Sequence, residues 1–272
     1  MINNFAAFEL DVEIATQKVF SIGDFIVTNS ILTGLVGIII TLAVLLYVGN
    51  KVRQGEYNRF VGLVQWVFEG LLYQIDDIIP DRKLARAITP LAVTIFFFVL
   101  FNYWLSVLPG LDSIKVNGVP ILRSPTADLN FVLGLAAVTV VTVQFYAVKY
   151  LGFFGSAARY LRNPFKDPIG CFEGVLELIG EFSRGAALAL RLFGNAFAGE
   201  VLLVVIVLLA NYFSAVVLPV FMIFELLIGF IQAYVFFVLT LIFTTLAVSS
   251  HGDKPHDEHS HADKTEKVLQ LE

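Results

Sequence analysis

The residues Ala-Leu-Arg-Leu-Phe-Gly-Asn, at positions 189 to 195, place an arginine inside an otherwise apolar stretch that runs from residue 171 to residue 248. A guanidinium is not deprotonated in proteins and is costly at membrane depth, so an intramembrane arginine is by default a functional-site hypothesis. We therefore expect Arg191 to meet a group there that gains from its charge.

The composition of the 272-residue chain indicates a membrane protein. Hydrophobic residues make up 57% of it, with 26 phenylalanines, whereas soluble domains carry about 45–50% apolar residues. Three apolar runs, 31–48, 87–108 and 131–148, approach the roughly 20 residues that cross a bilayer. The segment 60–79 is apolar but interrupted by polar residues, which favours a helix lying on the membrane surface.

The apolar stretch after Pro168 predicts two long helices. Its best turn signal is Asn211-Tyr212, which divides the stretch into helices 172–210 and 213–248. These would be roughly 58 and 54 Å long, nearly twice the thickness of a bilayer core. We expect both to be strongly tilted and to form an antiparallel hairpin. The predicted fold is an all-α polytopic membrane protein with about five crossings, the surface helix and this hairpin.

Basic residues are concentrated in two connections, 49–86 and 149–168, which the positive-inside rule assigns to the cytoplasm. The N-terminus is then outside and the C-terminus cytoplasmic. We expect one membrane domain over 1–249 and a polar, disordered cytoplasmic tail over 250–272. Histidines in that tail could instead bind metal. No signal or transit peptide is evident, and the net charge of −5 implies no nucleic-acid partner.

One face of the first long helix carries most of its polar side chains. At 100° per residue, Glu173, Glu177, Arg184 and Asn195 fall within about 40° of Arg191. The same face holds three small residues that let another helix approach closely, namely Ala187, Gly194 and Ala198. Arg191 is therefore predicted to face a partner. The alternative is that it neutralises an acid within this chain.

The hairpin predicts two further pairings. Glu200 with Glu225, and Arg191 with Gln232, are each symmetric about a turn near residue 212. Two apposed carboxyls in a poorly solvated place cannot both stay ionised cheaply, so one would hold a proton and exchange it readily, as in a proton relay. The alternatives are a water-exposed pair of carboxyls and, for Gln232, a purely structural hydrogen bond between helices.

The block Leu190-Arg191-Leu192-Phe193-Gly194-Asn195, followed by Ala198-Gly199-Glu200, resembles the signature of subunit a of the F-type ATP synthase. Four other features resemble that family in the same order: Pro90-Leu91 with Asn102, Leu108-Pro109-Gly110, the Pro-Thr-Ala-Asp-Leu-Asn segment at 125–130, and Gln232-Ala233. The similarity covers roughly residues 20–250 and is highly specific at the arginine.

The resemblance implies a membrane stator whose two offset half-channels load and unload carboxylates on a rotating ring of c subunits. Its other expected partners are the b-subunit peripheral stalk, the remaining synthase subunits and lipid. By this resemblance Arg191 faces the ring carboxylate and separates the half-channels, while Glu200, Glu225 and Gln232 line or adjoin the proton path. Residue 225 departs from some bacterial relatives, which have histidine there, so the relay would be carboxyl to carboxyl.

The resemblance also implies secondary proton-path residues. Asp128 and Asn130 are expected to edge the outer half-channel. Arg184 matches a position that is basic in relatives. Beyond the resemblance, we expect Asn195 to adjoin the path and three glutamates to border the cytoplasmic half-channel, namely Glu173, Glu177 and Glu181.

The implied location is the bacterial inner membrane. Because the chain has no Walker-type phosphate loop, ATP chemistry is expected in another subunit, and neither a cofactor nor a metal is expected here. Two other classes of protein compete with this interpretation. A secondary transporter usually shows internal repeats or broken helices at matching positions. A structural scaffold would leave the intramembrane charges without a transport role.

Overall fold

The computed structural model describes residues 18–22, 25–108, 115–116, 119–120, 123–160 and 168–249. The helices and strands follow one another in this order: β1 (Lys18–Ile22), β2 (Phe25–Thr28), α1 (Asn29–Gln54), α2 (Arg59–Ile78), α3 (Arg82–Val107), β3 (Lys115–Val116), β4 (Val119–Pro120), α4 (Leu129–Tyr160), α5 (Pro168–Ala210) and α6 (Ser214–Ser249). Strands β1 and β2 pair antiparallel, as do β3 and β4. A 3-10 turn, Asn211–Phe213, joins α5 to α6.

Five of the described helices are long and apolar enough to cross a membrane: Asn29–Gln54, Arg82–Val107, Leu129–Gly152, Phe172–Ala210 and Ser214–Val248. The all-α polytopic fold is thereby confirmed, with the long hairpin turning where Asn211-Tyr212 predicted. Helix α2 is the segment predicted over 60–79. Its position on the membrane surface and the tilt of α5 and α6 stay predictions. The two short strand pairs were not predicted.

Local capping interactions explain why several helices extend beyond the predicted apolar runs. Thr28 Oγ1 accepts a hydrogen bond from the Ile31 amide at the start of α1, at 3.4 Å. Asp81 Oδ1 does the same for the Lys83 amide at the start of α3, at 2.9 Å. Helix α1 is capped at its C-terminal end by Gly55, whose φ of 72° lies in the left-handed region that glycine adopts without strain. Such caps satisfy terminal backbone groups that hydropathy does not detect.

The described residues belong to two compact units, one formed by 1–140 with 182–241 and the other by 141–181 with 242–272. In the first unit α3 is the most deeply buried of the candidate spans. In the second unit Val143, Ala147 and Ala247 form a small apolar cluster. The single membrane domain over 1–249 stays a prediction, and the tail at 250–272 lies outside the described residues.

Aromatic side chains fill the interior of the first unit. Phe96 of α3 is fully buried and meets three other phenylalanine rings edge-on. Its ring centroid lies 5.2 Å from that of Phe97, 5.9 Å from that of Phe230 and 6.2 Å from that of Phe237. Edge-to-face pairs of this kind stabilise a packed interior beyond the area that they bury. They fix α3 against α6 within this unit.

Helices α1 and α3 approach closely at Gly37. A Cβ at this position would collide with the side-chain amide of Asn102. Asn102 is fully buried, and its Nδ2 donates to the Phe98 carbonyl at 2.9 Å. Small residues are the usual solution where helices pack in a membrane. The glycine therefore makes room for a buried polar side chain of the neighbouring helix.

Gly37→Leu should destabilise the protein, because it inserts a side chain into a filled interface, an error that costs about 1–3 kcal/mol. Gly49→Leu on the same helix is the matched control, since a Cβ at Gly49 would meet nothing within 4 Å. Thermal unfolding of the detergent-solubilised protein should give a lower midpoint for Gly37→Leu alone. Equal midpoints for both variants would contradict the close packing of α1 on α3.

Candidate functional site

Helix α5 presents one exposed and one buried face in the first unit. Arg191 is exposed, and so are the small residues predicted to share its face: Ala187, Gly194 and Ala198. The neighbouring side of the helix carries buried apolar residues: Leu188, Ala189, Leu192 and Ala196. The helix thus packs its apolar side inward and leaves the arginine in a smooth, open surface, as helical periodicity predicted.

Arg191 makes neither a salt bridge nor a hydrogen bond with any other residue that the structure describes. Within these residues the alternative interpretation, that it neutralises an acid of its own chain, is therefore not supported. The guanidinium carries five donors in a planar fork. Its charge and its donors remain available to a group that does not belong to the described part of the chain.

Helix α6 packs antiparallel against α5 and supplies the residues opposite this region. Asn195 Nδ2 donates to Gln232 Oε1 at 2.9 Å. The predicted register placed Gln232 opposite Arg191, and the amide instead bonds the residue one turn along the helix. Gln232 is 2% exposed, and its Nε2 makes no hydrogen bond within the described residues. A buried donor therefore lies at the level of the turn that carries Arg191 and Asn195.

Glu225 lies seven residues before Gln232 on the same face of α6 and is 4% exposed. Its carboxyl lies directly against Gly199 of α5, where any Cβ would collide with it. The Tyr103 hydroxyl of α3 donates to Glu225 Oε1 at 2.6 Å. The carboxyl thus occupies a pocket that three helices build. Glu200, the partner that the hairpin register predicted, is the half-buried residue next to Gly199.

Asp128 and Asn130, the two residues expected to edge the outer half-channel, lie at the start of α4 and just before it. Asp128 is 7% exposed, and its Oδ1 accepts a hydrogen bond from the Asn130 amide at 3.0 Å. This bond caps the first turn of α4. The Asn130 side chain is exposed. Asp128 therefore caps α4, and its place on a proton path stays a prediction.

The remaining predicted residues lie along α5. In the first unit Arg184 is half-buried. In the second unit Glu173 is exposed, while Glu177 and Glu181 are half-buried. Gln144 of α4 donates from Nε2 to Glu181 Oε1. The cytoplasmic half-channel that these glutamates were expected to border stays a prediction.

Sequence reasoning missed Tyr103, which touches the candidate relay carboxyl directly. The resemblance drew attention to its neighbour Asn102, but neither periodicity nor spacing pointed to the tyrosine. A signal was present in the helix itself. Tyr103 and Trp104 put two polar aromatic groups side by side in an apolar run, and such groups usually find a hydrogen-bond partner when buried.

Comparison with known proteins shows the family to which the chain is similar. Residues 30–245 match the family model described as ATP synthase A chain. A protein of Buchnera aphidicola named ATP synthase subunit a is 30% identical over 219 residues, which cover 78% of this chain and 79% of the relative.

Two further relatives carry the same name. The protein of Acidothermus cellulolyticus is 30% identical over 233 residues, covering 85% of this chain and 81% of the relative. The protein of Mycobacterium ulcerans is 30% identical over 231 residues, covering 83% and 89%. These matches confirm the resemblance that residues 189–200 carried. The chain belongs to the ATP synthase A chain family.

Proposed function

We propose that this chain is the proton-translocating stator subunit in the membrane sector of an F-type ATP synthase. The observation that carries the proposal is the exposed guanidinium of Arg191, which lies in an apolar span and makes no salt bridge or hydrogen bond within the described residues. A charge at membrane depth needs an anionic partner. A carboxylate on a rotating ring of c subunits is the partner that fits.

The surface around Arg191 supports a helical partner. The exposed small residues on either side of the arginine allow another helix to come near the backbone of α5, and close approach is what holds helices together in lipid. A passing carboxylate can then reach the guanidinium while the ring helix slides over a face without bulky obstacles. This arrangement suits a moving contact better than a fixed ion pair.

The pocket of Glu225 supports a proton-loading site beside that surface. A carboxyl can accept a proton and pass it on when a better acceptor arrives, and the burial of Glu225 keeps that exchange inside the protein. Glu225 and Gln232 are seven residues apart and share a face of α6. Protons are proposed to reach the Glu200 and Glu225 region from outside the cell and to neutralise a ring carboxylate there.

Arg191 then separates entry from exit. It attracts the deprotonated ring carboxylate and repels hydronium, so a proton cannot leak straight through. Hydration and the neighbouring Gln232, whose buried Nε2 makes no hydrogen bond within the described residues, are proposed to moderate the attraction. The drive is about 2.3 kcal/mol per charge for each 100 mV of membrane potential. Release is proposed through a cytoplasmic half-channel that Glu173, Glu177 and Glu181 border.

The proposal includes the surroundings of the chain. It assigns the chain to a bacterial inner membrane with the N-terminus outside, on the strength of the basic connections. The b-subunit stalk would hold it against the torque of the ring, and ATP chemistry would take place in other subunits. A structural scaffold is less consistent with Arg191, because a scaffold gains nothing from an exposed intramembrane cation.

Arg191→Ala and Arg191→Lys should both reduce ATP-driven proton pumping in inverted membrane vesicles to background. Alanine removes the charge. Lysine keeps it, but lacks the planar multi-donor head and can lose its proton when desolvated. Arg86→Ala, at an exposed arginine near the start of α3, is the matched control and should pump normally. If either Arg191 variant pumped normally in vesicles with equal amounts of assembled complex, the arginine would have only a packing role.

Glu225→Gln should slow proton flow by about tenfold or more, because the amide has the shape of the carboxyl but cannot exchange a proton in a general acid–base step. Passive proton conduction and ATP-driven pumping are both measured in vesicles with equal amounts of assembled complex. Glu69→Gln, on the exposed side of α2, serves as the control. Wild-type conduction in Glu225→Gln would show that the buried carboxyl only supports packing.

A further inference from the structure

Two consecutive residues of α3 donate hydrogen bonds to two consecutive residues of α6. The Tyr103 hydroxyl donates to Glu225 Oε1 at 2.6 Å, and Trp104 Nε1 donates to the Leu226 carbonyl at 2.9 Å. The residues of each bond are 122 positions apart in the chain. Two adjacent bonds fix both the register and the rotation of α3 against α6 at the level of the carboxyl.

The Tyr103 side chain has little freedom in this pocket. It is 1% exposed, and its ring packs on Gly229, where any Cβ would collide with it. Gly229 lies four residues after Glu225, on the same face of α6. The glycine therefore leaves room for the ring against the helix backbone, from where the hydroxyl reaches the carboxyl one turn away.

The second side of the carboxyl is also closed. Gly199 of α5 lies against Glu225, so the carboxyl is held between a glycine backbone and a phenol. A long acidic side chain has several rotamers in an open space, and each one puts its oxygens elsewhere. In this pocket the only described donor that holds one oxygen in place is the Tyr103 hydroxyl.

We propose that Tyr103 is a positioning residue for proton transfer at Glu225. Its hydroxyl keeps its own proton and occupies Oε1, so the travelling proton binds to and leaves from Oε2 in a fixed place. The phenol thus contributes orientation and not a relay step. This inference rests on the proposed function, because it assumes that Glu225 exchanges protons with the path to the ring.

Tyr103→Phe tests the inference, because it removes the hydroxyl and keeps the ring that fills the pocket. Passive proton conduction by the assembled complex in membrane vesicles should fall about three- to tenfold, the size expected from one lost hydrogen bond. Tyr234→Phe on α6 is the matched control, since the Tyr234 hydroxyl makes no hydrogen bond within the described residues. It should conduct as the wild type does.

A double-mutant cycle distinguishes positioning from packing. If the hydroxyl acts through the carboxyl, Tyr103→Phe should have almost no additional effect in the Glu225→Gln background. Independent effects would instead multiply and would overturn the inference. Unchanged conduction in Tyr103→Phe alone would overturn it as well.

A second variant covers the case in which Tyr103→Phe assembles poorly. Glu225→Asp keeps the acid but draws it back by one methylene, out of reach of the hydroxyl, and should also slow conduction about three- to tenfold. Wild-type conduction in Glu225→Asp would refute the positioning role. The proposed function itself is judged separately by Arg191→Ala in the same vesicles, because that variant leaves the Tyr103 bond untouched.

Discussion

A polar group at membrane depth must find a partner inside the protein, because the surrounding hydrocarbon offers none. This constraint explains the hydrogen bonds that three buried polar residues of the first unit make. Asn102 bonds the Phe98 carbonyl, Gln232 accepts from Asn195, and Glu225 accepts from Tyr103. Arg191 differs from these three residues, since it has no such bond within the described residues and stands on the exposed face of α5. Under the proposed function, the partner that the constraint demands is a carboxylate of another subunit.

Glycine determines where those polar contacts can form. Gly199 admits the Glu225 carboxyl to the surface of α5, Gly229 admits the Tyr103 ring to the surface of α6, and Gly37 does the same for the Asn102 amide on α1. In each case a backbone without a side chain lies opposite a polar or aromatic group of a neighbouring helix. Close approach of this kind strengthens dispersion contacts, which contribute much of the association between helices in lipid.

Much of this arrangement could be predicted from the sequence, because hydropathy and helical period are local properties. The five spans, the turn at Asn211-Tyr212 and the exposed face of Arg191 follow from them directly. Contacts between distant helices do not. Symmetry about the hairpin turn pointed Glu225 toward Glu200, whereas its described hydrogen bond is with Tyr103 of α3. Periodicity identifies the face of a helix and leaves open which helix packs on it.

The four short strands were missed because two to five residues carry too weak a pattern.

The paired bonds from Tyr103 and Trp104 also have a mechanical meaning. A slide of α6 by a single residue would move Glu225 by about 1.5 Å along its axis, which is enough to break a hydrogen bond. A load along the axis of α6 is therefore transmitted to α3 at the level of the carboxyl. Under the positioning role that we propose for Tyr103, the bond that orients the acid is also one of the two bonds that resist sliding of the helices. The stiffness of this helix pair and the accuracy of the acid's position then depend on the same contacts.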